Sequence, residues 1–430
     1  MHQQHARDAT PAARKLASRR NATHPGDSRR YSETPLICFS HLRWGFVWQR
    51  PQHLLTRMAY QRPVFVIEEP VFVSEAEPAR LHVTRDAGVT ILTPYLQLPD
   101  GFSRRTNRVI RSLLATYFLG DGEPLDAIVW YYTPMALGAL PPDIVPSLVV
   151  YDAMDELKNF LGAPAALLHQ EDTLLAAADL VFTGGPSLYR ARVQRHPRTY
   201  CFPSGVDAPH FGRRDHHPPD DIAAVPKPIV GFYGVLDERI DLGLLDRIAE
   251  CRPDWSLVLI GPVAKIDEGS LPHRPNIHYP GMRPYDALPA YLAQFDVAIL
   301  PFALNKATEF ISPTKTLEYL AGGQPVISTP VTDVVDLYGD VVNIAGTPRA
   351  FVAAIEHLLQ EPEEQRAARR CRVEQILAEH DWDVIAGRMQ ELMHDVLSVQ
   401  QQAAPRHGHA SPAALGQQLQ VEAGARGVGE

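Results

Sequence analysis

Cysteine is scarce in this chain. Cys38, Cys201, Cys251 and Cys371 are spread over 430 positions, with no Cys-x-x-Cys pair among them. That spacing excludes a disulfide framework and a cysteine zinc site, and it favours a reducing compartment, the cytoplasm. Long apolar runs are missing as well. The best candidate for a membrane span, residues 127–151, is interrupted by prolines and falls short of an unbroken spanning helix. An excess of basic charge is also absent. Lys and Arg number 41 against 50 Asp and Glu, a formal net charge of −9, so there is no general case for a nucleic-acid partner. What is present is ordinary for a globular protein: 45% hydrophobic and 21% charged residues, in a chain long enough for two or three domains.

The two ends differ from the middle. Residues 1–33 carry seven Arg or Lys and few apolar side chains, the composition of a disordered basic arm. Residues 400–430 are rich in Gln, Ala and Gly and predict a disordered tail. Between them, strand-like and helix-like runs alternate. Strands are expected over 35–40, 64–67, 89–92, 126–131, 147–151, 180–183 and 199–202, with helices over 52–60, 103–119, 164–177 and 186–195. A polar linker rich in Pro and His follows at 207–227. The second series has strands over 229–233, 256–260, 296–300, 325–328 and 341–344, and helices over 242–251, 284–294, 313–321 and 348–359. This alternation predicts an α/β fold of two Rossmann-like doubly wound domains, 34–206 and 228–380, facing across a cleft. A last helix within 381–399 is expected to cross back to the first domain. In such sheets ligands bind beyond the carboxyl ends of the strands.

The stretch from Glu309 to Thr329 carries the most chemistry. Ser312 suits a helix N-cap, Pro313 the first helical position, and Gly322-Gly323 a left-handed C-terminus. The start of such a helix offers free amides and a positive dipole end, an anion site. Lys315 in the first turn is disfavoured there unless an anion meets it, which suits a diphosphate. Glu318, three residues on and on the same face, suits the hydroxyls of a ribose. Other loops should meet this one at the rim: Gly234 after the strand 229–233, followed by Arg239 and Asp241; Gly261 to Lys265 after 256–260; and Met282-Arg283 before the helix at 284. Glycine at 234 and 261 lets a ligand approach the backbone. Arg239, Lys265 and Lys315 together would form a diphosphate pocket. Each basic side chain taken alone is more often a solvated surface residue.

At this point the sequence resembles a known family, the retaining glycosyltransferases of GT-B fold, in the group like glycosyltransferase family 4. Five blocks carry the likeness: Ser40 to His53, Phe202 to Phe211, Gly231 to Asp241, Ile260-Gly261-Pro262, and Ser312 to Val326. The resemblance implies a nucleotide-sugar donor, UDP- or GDP-linked, held by the second domain, and an acceptor held by the first. It places Arg239 and Lys315 at donor-phosphate positions, and Glu318 at the second glutamate of a Glu-x7-Glu motif. Ser312, Pro313 and Thr314 then belong to the donor loop with Gly234, Asp241, Gly261, Lys265, Met282 and Arg283. The first motif glutamate is absent: Phe310 stands there, with Glu309 one place off. His41, Arg43 and Gly45 after the first strand, and Asp152 and Asp155 after 147–151, are candidates for the acceptor side. Asp152, Asp155 and Glu156 could hold a divalent ion through hard oxygens, but the resemblance implies a site that works without metal or any other cofactor.

The expected chemistry follows from charge. Cations and helix amides aimed at the leaving phosphate stabilise the charge that develops there, and the resemblance implies that the acceptor attacks the donor on the face the phosphate leaves. The expected role is sugar transfer to a glycan or lipid-linked acceptor in cell-surface polysaccharide synthesis. Two alternatives stay open: a GT-B sugar-nucleotide epimerase or hydrolase, and a nucleotide- or glycan-binding pseudoenzyme, which Phe310 favours. A final feature concerns the membrane. Residues 101–118 read as a helix with Arg104, Arg105, Arg108 and Arg111 opposite Phe102, Val109, Ile110, Leu113, Tyr117 and Phe118. Such a helix can lie on an anionic surface at the inner face of a membrane, although ordinary packing on the sheet is the commoner outcome.

Overall fold

The computed structural model describes residues 34–74, 76–120, 122–212 and 217–403. The basic arm at 1–33 and the tail beyond 403 lie outside the described residues. Nine strands form the first sheet: β1 (Leu36–Ser40), β2 (Val64–Glu68), β3 (Val71–Phe72), β4 (Arg80–Asp86), β5 (Val89–Leu96), β6 (Leu125–Tyr131), β7 (Ile144–Ala153), β8 (Leu180–Thr183) and β9 (Thr199–Cys201). Their order is β3-β5-β2-β1-β6-β7-β8-β9, parallel throughout except that β4 pairs antiparallel with β5. Six parallel strands form the second: β10 (Ile229–Tyr233), β11 (Ser256–Ile260), β12 (Ile277–Gly281), β13 (Val297–Leu300), β14 (Val326–Ser328) and β15 (Asn343–Ile344), in the order β12-β11-β10-β13-β14-β15.

The central strands are buried along their whole length. Helices cover both faces, so apolar runs replace alternation. That is why these strands are legible in the sequence. The strands that composition does not announce are β3, β4 and β12. β4 is exposed at six of its seven positions and has no apolar face to read. The expected helix over 284–294 is instead a 3-10 turn at Tyr285–Ala287 followed by Leu288–Leu292, with Pro289 in its first turn. The helix Glu363–Glu379 was not expected at all: it buries only Val373 and Ile376, too few to set a period.

The chain passes twice between the domains, at Ser204–Asp207 and at His380–Trp382. The two passages pair, the Val206 N–H donating to His380 O at 2.8 Å. A side chain at Gly205 would meet His380 O and the Trp382 ring, each at 2.8 Å, which explains the glycine in that block. The final helix, Trp382–Ala403, packs on the first domain. Trp382, Ile385, Ala386, Met389 and Met393 share one core with Leu36, Cys38, Trp130 and Phe182.

Cross-domain contacts hold the cleft in its present form. The Asp333 carboxylate accepts from the Ser187 N–H at 3.0 Å, and Arg190 pairs with Asp336 at 2.9 Å. Asn159 donates to Lys306 O at 2.9 Å. Trp48 stacks with Tyr285 at 5.9 Å between centroids, and Tyr285 stacks on His210 at 4.5 Å.

Candidate active site

The helix Thr314–Ala321 begins at the floor of the cleft. Its N-cap is Pro313, not Ser312. Ser312 instead offers its carbonyl to the Ser204 hydroxyl at 3.2 Å, and the Thr314 hydroxyl reaches the same Ser204 oxygen at 3.2 Å. The first turn is therefore anchored from the first domain's final loop, and Pro313 leaves the following amides uncapped by any side chain. At the far end only Gly323 is left-handed (φ 78); Gly322 stays helical at φ −68.

Lys315 makes no hydrogen bond or ion pair with any described residue. Burial pulls its pKa below the ordinary lysine value; Glu318 opposes that shift, and Arg239 adds to it. Its Cε would be 2.9 Å from a side-chain carbon at Gly234. Gly234 (φ 151) and Gly261 (φ 145) lie in the region that favours glycine. A Cβ at Gly261 would stand 1.8 Å from Gly234 O. These two loops thus touch backbone to backbone, which no larger residue permits, and their closeness forms the wall beside Lys315.

Arg239 is held against Asp237, Nε to Oδ1 at 2.9 Å and Nη2 to Oδ2 at 2.7 Å, with its own N–H on Oδ1 at 3.0 Å. Asp237 is 4% exposed, so it fixes the arginine through Nε and Nη2 and leaves Nη1 outside that pair. Lys265, half-exposed at φ 62, lies 3.8 Å from Glu238. Both cations face one ring: Phe160 of the first domain is 4.8 Å from Lys265 Nζ and 5.7 Å from Arg239 Cζ. Glu318 is buried at 4% exposure. Burial raises its pKa, while Lys315, Tyr233 and His210 draw it down.

Lys315, Arg239, Lys265, Glu318, Gly234 and Gly261 therefore meet at one rim. Other sequence candidates are employed differently. Asp241 caps the helix Leu242–Cys251, accepting from Leu244 N–H at 2.8 Å. Arg283 is tied to Asp221 of the linker at 2.6 Å and to Tyr291 OH at 2.6 Å; Met282 beside it is 44% exposed. On the first domain, Asp152 lies at 0% exposure in a three-bond pair with Arg50, which removes it from the acceptor side. Arg43 clamps Glu68, Glu69 O and Pro70 O, and Gly45 sits on an exposed loop. His41 does face the cleft. Its Nδ1 is buried without a partner, and burial, with Lys265 adding, pulls its pKa to about 4, so the imidazole is neutral.

Glu156 is also taken up, by Arg192 at 3.1 Å to each oxygen. With Asp152 and Glu156 both paired, the cluster after β7 is not a set of free ligands. Among the described residues no group of three or more His, Cys, Asp or Glu is placed to hold an ion. Ser204, Asp237 and Phe160 were missed in the sequence. Ser204 and Asp237 lie inside quoted blocks, but only the fold shows what they touch; Phe160 carries no motif.

Known proteins resemble this chain in the second domain's sequence and in fold. Residues 227–361 match the family model described as Glycosyl transferases group 1. TuaH of Bacillus subtilis (strain 168), named as a glycosyltransferase of teichuronic acid biosynthesis, is 27% identical over 169 residues, 38% of this chain. The chain spans only 43% of that relative's length. Among solved structures, sucrose-phosphate synthase from Thermosynechococcus elongatus superposes with a TM-score of 0.63 at 16% identity, over 85% of this chain and 100% of that one. A UDP-forming trehalose-phosphate synthase from Burkholderia xenovorans gives 0.62 at 13%, over 85% and 99%. Anabaena HepE in complex with UDP and glucose gives 0.56 at 16%, over 84% and 99%. At these identities the structures speak for the fold, two Rossmann-like domains of GT-B type.

Proposed function

We propose, from a group 1 glycosyl transferase domain set in a GT-B fold, that this protein transfers a sugar from a nucleoside-diphosphate donor with retention of configuration. The acceptor is a glycan or lipid-linked sugar of cell-surface polysaccharide synthesis. One observation carries the reading: Lys315, unpaired at the start of its helix, lies in the field of Arg239 and Glu318 at the floor of a two-domain cleft. A cation pulled below its ordinary pKa by burial invites an anion. The diphosphate would lie against the amides of the first turn, Lys315 and Arg239, and Glu318 would take ribose hydroxyls. As the glycosidic bond breaks, negative charge grows on the phosphate, where these groups already point. His41 is neutral, and its buried Nδ1 lacks a partner, which makes it a candidate acceptor for a sugar hydroxyl. The UDP bound by HepE makes UDP-sugars the first donors to test, by isothermal titration of UDP, GDP and ADP and by release of nucleotide on adding acceptor. Absence of binding by all three nucleotides would overturn the reading.

Because side-chain cations supply the positive charge, turnover is expected to survive EDTA. Activity lost in EDTA and restored by Mg²⁺ or Mn²⁺ would place an ion in the leaving-group site instead.

Contact with a membrane is expected to be electrostatic only. The helix Arg104–Phe118 spends its apolar face in the core, burying Ile110, Leu114 and Phe118, and Arg111 donates to Gly138 O. Inserting that face into lipid is therefore not open to it. Arg104, Arg105 and Arg108 remain exposed, each worth about 1 kcal/mol beside anionic lipid. Flotation with anionic vesicles at low salt should be weak and should vanish at high salt. Flotation that persists at high salt would mean that apolar insertion occurs.

A further inference from the structure

The end of β7 and the loop after it carry three carboxylates in five residues, and two are locked. Asp152 is held by Arg50 and Glu156 by Arg192, all four side chains being buried. These pairs fix the backbone on both sides of Asp155. Asp155 itself makes no hydrogen bond or ion pair with any described residue. The charges that act on it are Arg239, Lys265 and Asp237 of the second domain and Arg50 of the first, and it acts in turn on Lys315. Five residues on, Phe160 lies against Lys265 and Arg239, so the same loop runs over the phosphate cations. The second domain offers no carboxylate of its own at the matching place, since Phe310 is half-buried there and Glu309 points outward, exposed.

We propose that Asp155 reads the sugar of the donor, its carboxylate accepting hydrogen bonds from hydroxyls of the hexose attached to the diphosphate. This rests on the donor site proposed above and adds the residue that distinguishes a nucleotide-sugar from a bare nucleotide. The geometry favours the sugar over the other candidates. A diphosphate on Lys315 and Arg239 would leave its sugar beside those cations, whose charge Asp155 feels and over which its loop runs at Phe160. A phosphate could not approach Asp155 itself without repulsion, whereas hydroxyls meet an acceptor with two oxygens. A carboxylate bonded to the hexose hydroxyls would also offset positive charge developing on the ring. Burial pushes its pKa up to about 6, with Arg239 and Lys265 drawing it back, so it is ionised at neutral pH.

The test is isothermal titration with UDP and UDP-glucose, and with GDP and GDP-mannose, on the parent and on Asp155→Asn. The asparagine variant keeps the shape, and an unchanged thermal midpoint confirms its fold. In the parent, the nucleotide-sugar should bind more tightly than its nucleoside diphosphate. In the variant this advantage should fall on the order of tenfold, while the bare diphosphate binds as well or better, one anion having left the cation cluster. Hydrolysis of the donor without acceptor should slow in parallel. An unchanged advantage, with only the acceptor KM raised, would assign Asp155 to the acceptor and overturn the proposal. Equal weakening of both ligands would make Asp155 merely a residue that orders the cations, and would also overturn it. If the parent binds no nucleoside diphosphate, the donor site itself fails, and this proposal with it.

Discussion

Arg50→Met should cost the first domain about 3–5 kcal/mol, the effect of leaving a buried carboxylate without its partner. Arg50 is 2% exposed and Asp152 0%. The guanidinium donates Nε and Nη2 to Asp152 at 3.0 Å and Nη1 to Phe202 O at 2.8 Å. Methionine fills the space but satisfies neither the carboxylate nor the carbonyl. Against a total stability of about 5–15 kcal/mol for a domain, such a loss shifts a urea midpoint far. The double variant Arg50→Met, Asp152→Leu should recover most of it, because no charge is then stranded. A single variant within about 1 kcal/mol of the parent would show that water reaches the pair after all. The result bears on function too. Loss of activity in Asp152→Ala would arise from a damaged fold, and not from a missing acceptor contact.

Lys315→Ala should weaken nucleoside-diphosphate binding by about 1.5–3 kcal/mol, roughly 10- to 150-fold, since it removes one charged phosphate contact. The fold should not suffer. Lys315 has no hydrogen-bond partner to strand, and its charged form is penalised in the native state, as the lowered pKa shows. The thermal midpoint without ligand should therefore be equal or slightly higher. Lys315→Arg should recover only part of the affinity. The lysine stem runs past Gly234, its Cε 2.9 Å from where a Cβ there would stand, and a planar guanidinium needs more width than an ammonium. Titration with UDP, GDP and ADP decides it, and parent-like affinity for all three in Lys315→Ala would move the donor elsewhere.

Sequence by itself determined the two-sheet plan. Runs such as Leu36–Ser40, Val64–Glu68, Ile229–Tyr233 and Ser256–Ile260 are apolar from end to end because helices cover both faces, and that pattern needs no partner to be read. It also singled out the loop proposed for the donor, since Lys315 and Glu318 fall one turn apart whatever surrounds them; that only glycine fits at 234 and 261 is shown by the fold. Tertiary structure alone decided which charges remain free. Asp152, Asp155 and Glu156 are alike in sequence, three carboxylates within five residues. Arg50, 102 positions before Asp152, and Arg192, 36 positions beyond Glu156, take two of them. In the same way Asp221 takes Arg283, and Gly138 O takes Arg111. Local sequence records where a charge sits, but its availability depends on partners brought by distant segments. Burial makes such pairing the rule, because an unpaired charge inside the protein is costly; Lys315 and Asp155, at the cleft, are left without a partner among the described residues.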